Sequence, residues 1–168
     1  MLKLQLGDVT DIQVESFVFY AQHNLALGSG YGNAIAVRGG PSIQEELNSL
    51  APLETTHAVV SNAGNMKAKK IIHAVGPRFQ EIDQEQKLKD TILNSFKLAE
   101  QNDIKEIALP AMGAGFYGVP LPLCAKVTVN TIVEYLQNGT KLKNIIICLL
   151  DNREYKPFQD KLKTLDQV

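Results

Sequence analysis

The sequence predicts an α/β fold, a sheet covered by helices on both faces. Three observations carry that prediction. Short apolar runs alternate with helix-period segments through the second half of the chain. The run Asn144–Leu150 is the most apolar of all, and reads as a central strand. Two glycine-rich stretches, at 28–32 and 113–118, each follow an apolar run, and ligands in open α/β sheets sit beyond the carboxyl ends of the strands.

The elements follow in order. Leu2, Leu4 and Leu6 alternate as a strand with one buried face, which Gly7-Asp8 ends. After a connector, Val9–Val14, a buried strand covers Ser16–Tyr20. A short helix is expected over Asn33–Val37, stopped by Gly39-Gly40-Pro41. Ser42-Ile43-Gln44-Glu45 has capping-box spacing, with Ser42 as cap and Leu47 and Leu50 on the inner face of the next helix. His57–Val60 is a strand, and Ser61–Asn65 has turn chemistry. Lys67, Lys69 and Lys70 read as a solvated face, with contact to an acidic ligand as the sharper alternative. Lys70–Val75 is a strand closed by Gly76-Pro77. A long helix covers Asp83–Asn102, with Leu88, Ile92, Phe96 and Ala99 on one stripe. Strand Glu106–Leu109, helix Leu121–Gln137 with its terminator Asn138-Gly139, strand Asn144–Leu150 and helix Arg153–Leu165 complete the chain.

At 168 residues the chain, 1–168, fits one compact domain with a self-sufficient core. Its 45% hydrophobic and 21% charged content is that of an ordinary globular protein. A net charge of -1, from 17 basic and 18 acidic side chains, supplies no electrostatic drive toward nucleic acid or membranes in general. Cys124 and Cys148 are too few for a disulfide framework and read as buried thiols in a reducing compartment. The opening Met1–Leu6 alternates like a strand rather than a signal peptide. No apolar run approaches the roughly 20 residues that span a bilayer, so the cytoplasm is the expected location.

Function points to the glycine turns. Without a Cβ the main chain approaches a phosphate closely, and a turn into a helix N-terminus aims N–H groups at an anion. Two such turns imply one cleft gripping one phosphate-bearing ligand. The dinucleotide fingerprint fails here. Gly28-Ser29-Gly30-Tyr31-Gly32 lacks G-x-G-x-x-G spacing, and Glu45 and Glu46 fall in a helix instead of ending a strand. No Gly-Lys-Ser/Thr follows either turn, so a Walker A loop is absent.

Four segments in register nevertheless resemble one family. They are Gly7-Asp8-Val9-Thr10, Gly28 to Ile35, Ile72-His73-Ala74-Val75-Gly76-Pro77, and Ala108 to Gly118. Together they resemble the macrodomain family over nearly the whole chain. The resemblance implies a three-layer α/β/α fold with a mixed sheet of about six strands. It also implies binding of ADP-ribose, free or on an ADP-ribosylated protein, with no metal and no cofactor. Asp8 then matches the adenine-binding aspartate and Val9 the neighbouring N–H; the plainer reading of Asp8 is a turn residue binding its own backbone. Gly28, Ser29, Gly30 and Tyr31 match the first phosphate loop. Gly113, Ala114, Gly115, Phe116 and Tyr117 match the second, whose aromatic covers the distal ribose. Leu150 falls where many members stack an aromatic on adenine, and leucine offers apolar contact only. His73 matches a strand histidine with a structural role.

Hydrolytic members of the family carry Asn-Ala-Ala-Asn where this chain has Phe19-Tyr20-Ala21-Gln22. Gln22 keeps an amide one methylene further out, and a misplacement of about 1 Å can cost 10²-fold in rate. An aspartate of one hydrolase group is Gly32 here, which removes a candidate base. His23 and Asn24, next to Gln22, are the candidates to assist it; the bland reading of His23 is a solvated loop residue. Three functions stand: an ADP-ribose reader, an ADP-ribosyl or O-acetyl-ADP-ribose hydrolase using Gln22, and a module for another nucleotide or RNA. The first is favoured, because a displaced amide harms catalysis more than binding.

Overall fold

The computed structural model describes residues 1–166, with the side chains of Phe116 and Asp166 outside that description. Six strands, β1 (Leu2–Leu6), β2 (Ser16–Tyr20), β3 (Ala58–Asn62), β4 (Lys70–Ala74), β5 (Glu106–Leu109) and β6 (Asn144–Leu149), form one sheet in the order β1-β6-β5-β2-β4-β3. Only the β3–β4 pair is antiparallel, so the sheet is mixed. The helices are α1 (Tyr31–Gly39), α2 (Ser42–Leu50), α3 (Gln84–Gln101), α4 (Leu121–Gln137) and α5 (Asn152–Asp166).

Strand alternation divides the core in two. Val18 and Tyr20 of β2 and Ile72 of β4 pack with Leu88, Ile92 and Phe96 of α3, Val129 of α4 and Phe158 of α5. Phe17 and Ile71, one residue out of step, pack with Ile35 of α1 and Ile43 and Leu47 of α2. This is the period-two consequence of a pleated sheet buried on both faces. The three-layer α/β/α arrangement follows directly.

The chain leaves β2 through α1 and α2 toward β3 and β4, and leaves β5 through α4 toward β6. β2 and β5 are neighbours, so the connections diverge between them, and the crevice of a switch point opens there.

Some local expectations are corrected. Ser42 does not cap α2. Pro41 takes that position with helical dihedrals (φ -73, ψ -19), so Ser42 is already inside the first turn and its hydroxyl donates to Asn62 at 3.1 Å. Glu46, rather than Glu45, makes the tie there, accepting from the Asn62 backbone and side-chain amides at 2.7 and 2.8 Å. The inner face of α2 is Ile43 and Leu47; Leu50 is 38% exposed. β6 is interior but not central, since β5 and β2 occupy the middle. α1 is longer than Asn33–Val37 because Gly30 and Gly40 both take positive φ and set its ends outward. Among the described residues no helix is long and apolar enough to cross a membrane.

Candidate ligand-binding site

The two glycine turns leave adjacent strands, β2 and β5, on the same edge of the sheet. Between them lies a cavity of about 280 Å³. The first turn contributes Gln22, Leu27, Ser29, Gly30 and Tyr31; the second contributes Pro110, Ala111, Gly113, Ala114 and Tyr117. Phe19 and Tyr20 at the end of β2 and Glu154 of α5 complete the lining. Both stretches singled out in the sequence therefore face one space.

Both turns carry a bare glycine at positive φ, Gly30 in the cavity wall and Gly115 next to Ala114 but outside the lining. Gly30, the N-cap of α1, has φ 60 and ψ -129, and Gly115 has φ 77; a Cβ on either would meet nothing within 4 Å. α1 begins at Tyr31, so the positive end of its dipole opens on the cleft. Its anchoring is local and polar. Leu27 N–H donates to Gln44 Oε1 at 2.9 Å, and Gln44 Nε2 donates to Leu25 O at 3.1 Å. In the second turn Val119 N–H donates to Gly113 O at 3.0 Å. A diphosphate entering here would meet a helix terminus on one side and a tight backbone turn on the other.

The β2 end of the cleft is aromatic and uncharged. Tyr20 donates its hydroxyl to Pro77 O, packs against Tyr117 with the ring centroids 4.9 Å apart and the planes tilted by 59°, and is pushed well above the usual phenol range by burial. It is a wall, not a base. Gln22 brings an amide into the cleft, and its Nε2 would lie 2.8 Å from a Cβ on Gly28, so Gly28 leaves room for it. His23 and Asn24 do not line the cavity. His23 Nδ1 bonds with Leu53 O at 2.8 Å, and Asn24 Oδ1 accepts from Ala26 N–H at 2.9 Å, so both hold the loop's own shape. Gly32 is packed so closely that a Cβ would collide with the Leu27 carbonyl. His73 is fully buried, its Nε2 2.7 Å from Ser61 Oγ, and burial drives its pKa down to about 3. Lys67 pairs with Asp11 at 3.2 Å, and Lys70 opens β4 at the end remote from the glycine turns.

Beyond the cavity, the ends of β1 and β6 bring together Asp8, Val9 and Leu150. Asp8 Oδ1 accepts from Thr10 N–H at 2.9 Å and Thr10 Oγ1 at 2.6 Å, while Oδ2 lies 3.4 Å from Arg38. Val9 is buried, and Leu150 is 52% exposed. The Phe116 side chain lies outside the described residues. Sequence reasoning missed Glu154, which no motif marks; its only signal is an acid in the first turn of the helix that follows β6.

An α/β sheet with two bare-backbone turns meeting across the ends of adjacent strands defines a phosphate-ligand-binding domain. The model of the Macro domain family matches residues 20–128, and the chain belongs to that family. It is 34% identical over 172 residues to the macro domain-containing protein TTE0995 of Caldanaerobacter subterraneus, covering 99% of this chain and 98% of that one. It is 38% identical over 136 residues to an O-acetyl-ADP-ribose deacetylase of Escherichia fergusonii, covering 77% of each. A variant of the Oceanobacillus iheyensis macrodomain, solved with ADP-ribose, superposes with a TM-score of 0.94 at 26% identity, covering 99% of this chain and 94% of that one.

Proposed function

We propose that the protein binds ADP-ribose, free or attached to protein, and holds it without breaking it. The observation that carries this reading is the shared cavity: Ser29, Gly30 and Tyr31 line the same space of about 280 Å³ as Gly113, Ala114 and Tyr117. Adenine would sit at the ends of β1 and β6, with its amine toward Asp8, the Val9 N–H at a ring nitrogen, and Leu150 against its face. The diphosphate would lie between the turns. The distal ribose would rest on Tyr117, with Gln22 as its hydrogen-bonding amide.

Hydrolysis is the second reading, favoured by one observation, the likeness to proteins named as O-acetyl-ADP-ribose deacetylases. Local geometry argues against it. A carboxylate at position 32 has no room, Tyr20 is committed to Pro77, and His23 and Asn24 are engaged in the loop, so Gln22 would work alone. Two free, buried cysteines fit a reducing cytoplasm.

Calorimetric titration with ADP-ribose, ADP and AMP tests ligand class. ADP-ribose is expected to bind most tightly, and an affinity no better than that of AMP overturns the reading. A release assay on an ADP-ribosylated protein tests the second reading. Turnover in the wild type that is lost in Gln22→Ala would establish a hydrolase.

A further inference from the structure

Glu154 is the one charged side chain among the described residues lining the cleft. A carboxylate is a poor neighbour for a pyrophosphate, and burying the two together weakens binding unless the ligand offers hydrogen-bond donors at that point. The carboxylate is 14% exposed, and its Oε1 accepts from Leu150 N–H at 2.8 Å. Arg153 reaches Oε2 only at 3.9 Å from a largely exposed position, so the charge is weakly offset. Glu154 is bonded to Leu150, which the proposed pose sets at the nucleoside end, and lines the same cleft as Ser29 and Gly30 of the phosphate turn, so in that pose it would fall between base and diphosphate. Tyr31 lines the same cleft, and its hydroxyl is buried with no hydrogen-bond partner. Burial, reinforced by the charge of Glu154, keeps that phenol protonated and able to donate.

One chemical group satisfies an acceptor-only carboxylate and an unpaired phenol together: a pair of adjacent hydroxyls. We infer that Glu154 and Tyr31 hold the free 2′,3′-diol of the adenosine ribose and so reject ligands that carry a phosphate there. The inference rests on the ADP-ribose reading and adds a specificity to it: the cleft accepts ADP-ribose derived from NAD and excludes the 2′-phosphorylated form derived from NADP. A 2′-phosphate would place a dianion against Glu154 in a water-poor site.

Competition titrations of the wild type, Glu154→Gln and Tyr31→Phe with ADP-ribose and 2′-phospho-ADP-ribose decide it. The wild type is expected to prefer ADP-ribose by at least tenfold. Glu154→Gln, whose amide oxygen can still accept from Leu150 N–H, should bring that ratio below threefold. Tyr31→Phe should weaken ADP-ribose several-fold while its melting temperature stays level or rises, because the lost hydroxyl had no partner in the protein. A wild-type ratio under tenfold, or a Gln variant that keeps a ratio of threefold or more, overturns the inference. The wild-type ratio is decisive even where a variant folds poorly. If the wild type binds both ligands alike, this specificity alone falls; if it binds neither, the ADP-ribose reading falls and takes the specificity with it.

Discussion

Gly115→Glu puts the second glycine turn to the sharpest test, because two separable effects have different sizes. A Cβ at 115 would meet nothing within 4 Å, so the new side chain displaces no protein atom. The backbone is at φ 77, and an L-residue held there costs about 1–2 kcal/mol. For a chain of this length each kcal/mol lowers the melting temperature by about 2–4 °C, which sets the expected drop at about 2–8 °C. Binding should suffer far more. A carboxylate about 5 Å from a phosphate charge, at an effective dielectric near 20, opposes it by about 3 kcal/mol, which is more than 100-fold in affinity. Gly115→Ala carries the same backbone strain without the charge, so the difference between the two variants isolates the electrostatic part. Calorimetry with ADP-ribose and a thermal melt on both variants supply the numbers. A Glu variant that binds within tenfold of the Ala variant would remove the second turn from the site.

Two further outcomes are expected. Asp8→Asn keeps one amide oxygen to cap Thr10 but loses the second carboxylate oxygen, the one beside Arg38 that the proposed adenine amine would meet, so ADP-ribose affinity should fall by about 1–3 kcal/mol with little change in melting temperature; unaltered calorimetric affinity would refute the adenine assignment. Stability should also depend on pH through His73, whose folded pKa is near 3 against 6.5 for the free side chain. The unfolded chain takes up this proton first, so its contribution is full above pH 6.5 and is lost as pH falls toward 3, by about 2 kcal/mol at pH 5. The carboxyls of Asp11, Glu46 and Glu100 are held below their usual range, so their losses come at still lower pH. Urea midpoints at pH 7.5 and 5.0 should move much less in His73→Gln than in the wild type, and equal movement would count against a neutral buried imidazole.

Much of the fold was legible because its signals are local. The strand Glu106–Leu109 and the helix Leu121–Gln137 have the bounds their patterns predict, since the apolar period is clear, Pro110 ends the strand, and Pro120 and Asn138-Gly139 flank the helix. The site was legible where it is backbone: glycine turns announce positive φ and close approach whatever surrounds them. Side-chain placements that depend on distant partners were not. Ser42 has the spacing of a cap, yet Pro41 starts the helix one residue earlier and Asn62, a strand away, takes the hydroxyl. The fit of Gln22 against Gly28 and the collision awaiting any side chain at Gly32 arise from how the first turn folds back on itself. Glu154 enters the cleft only because β6 lies beside β1 and delivers α5 to that edge. The position of β6 in the sheet escaped the same way, since an interior strand is apolar on both faces wherever it stands.

The pairing of β1 with β6 alone ties recognition to synthesis. β1 is made before the other five strands and has no neighbour in the sheet except β6, so it waits unpaired until the last strand of the sheet has been made. In the proposed pose the nucleoside end of the cleft is made where those two strands finish side by side. A nascent or C-terminally clipped chain would carry both glycine turns and still lack a seat for the base, and nucleotide affinity therefore reports that the last strand has docked.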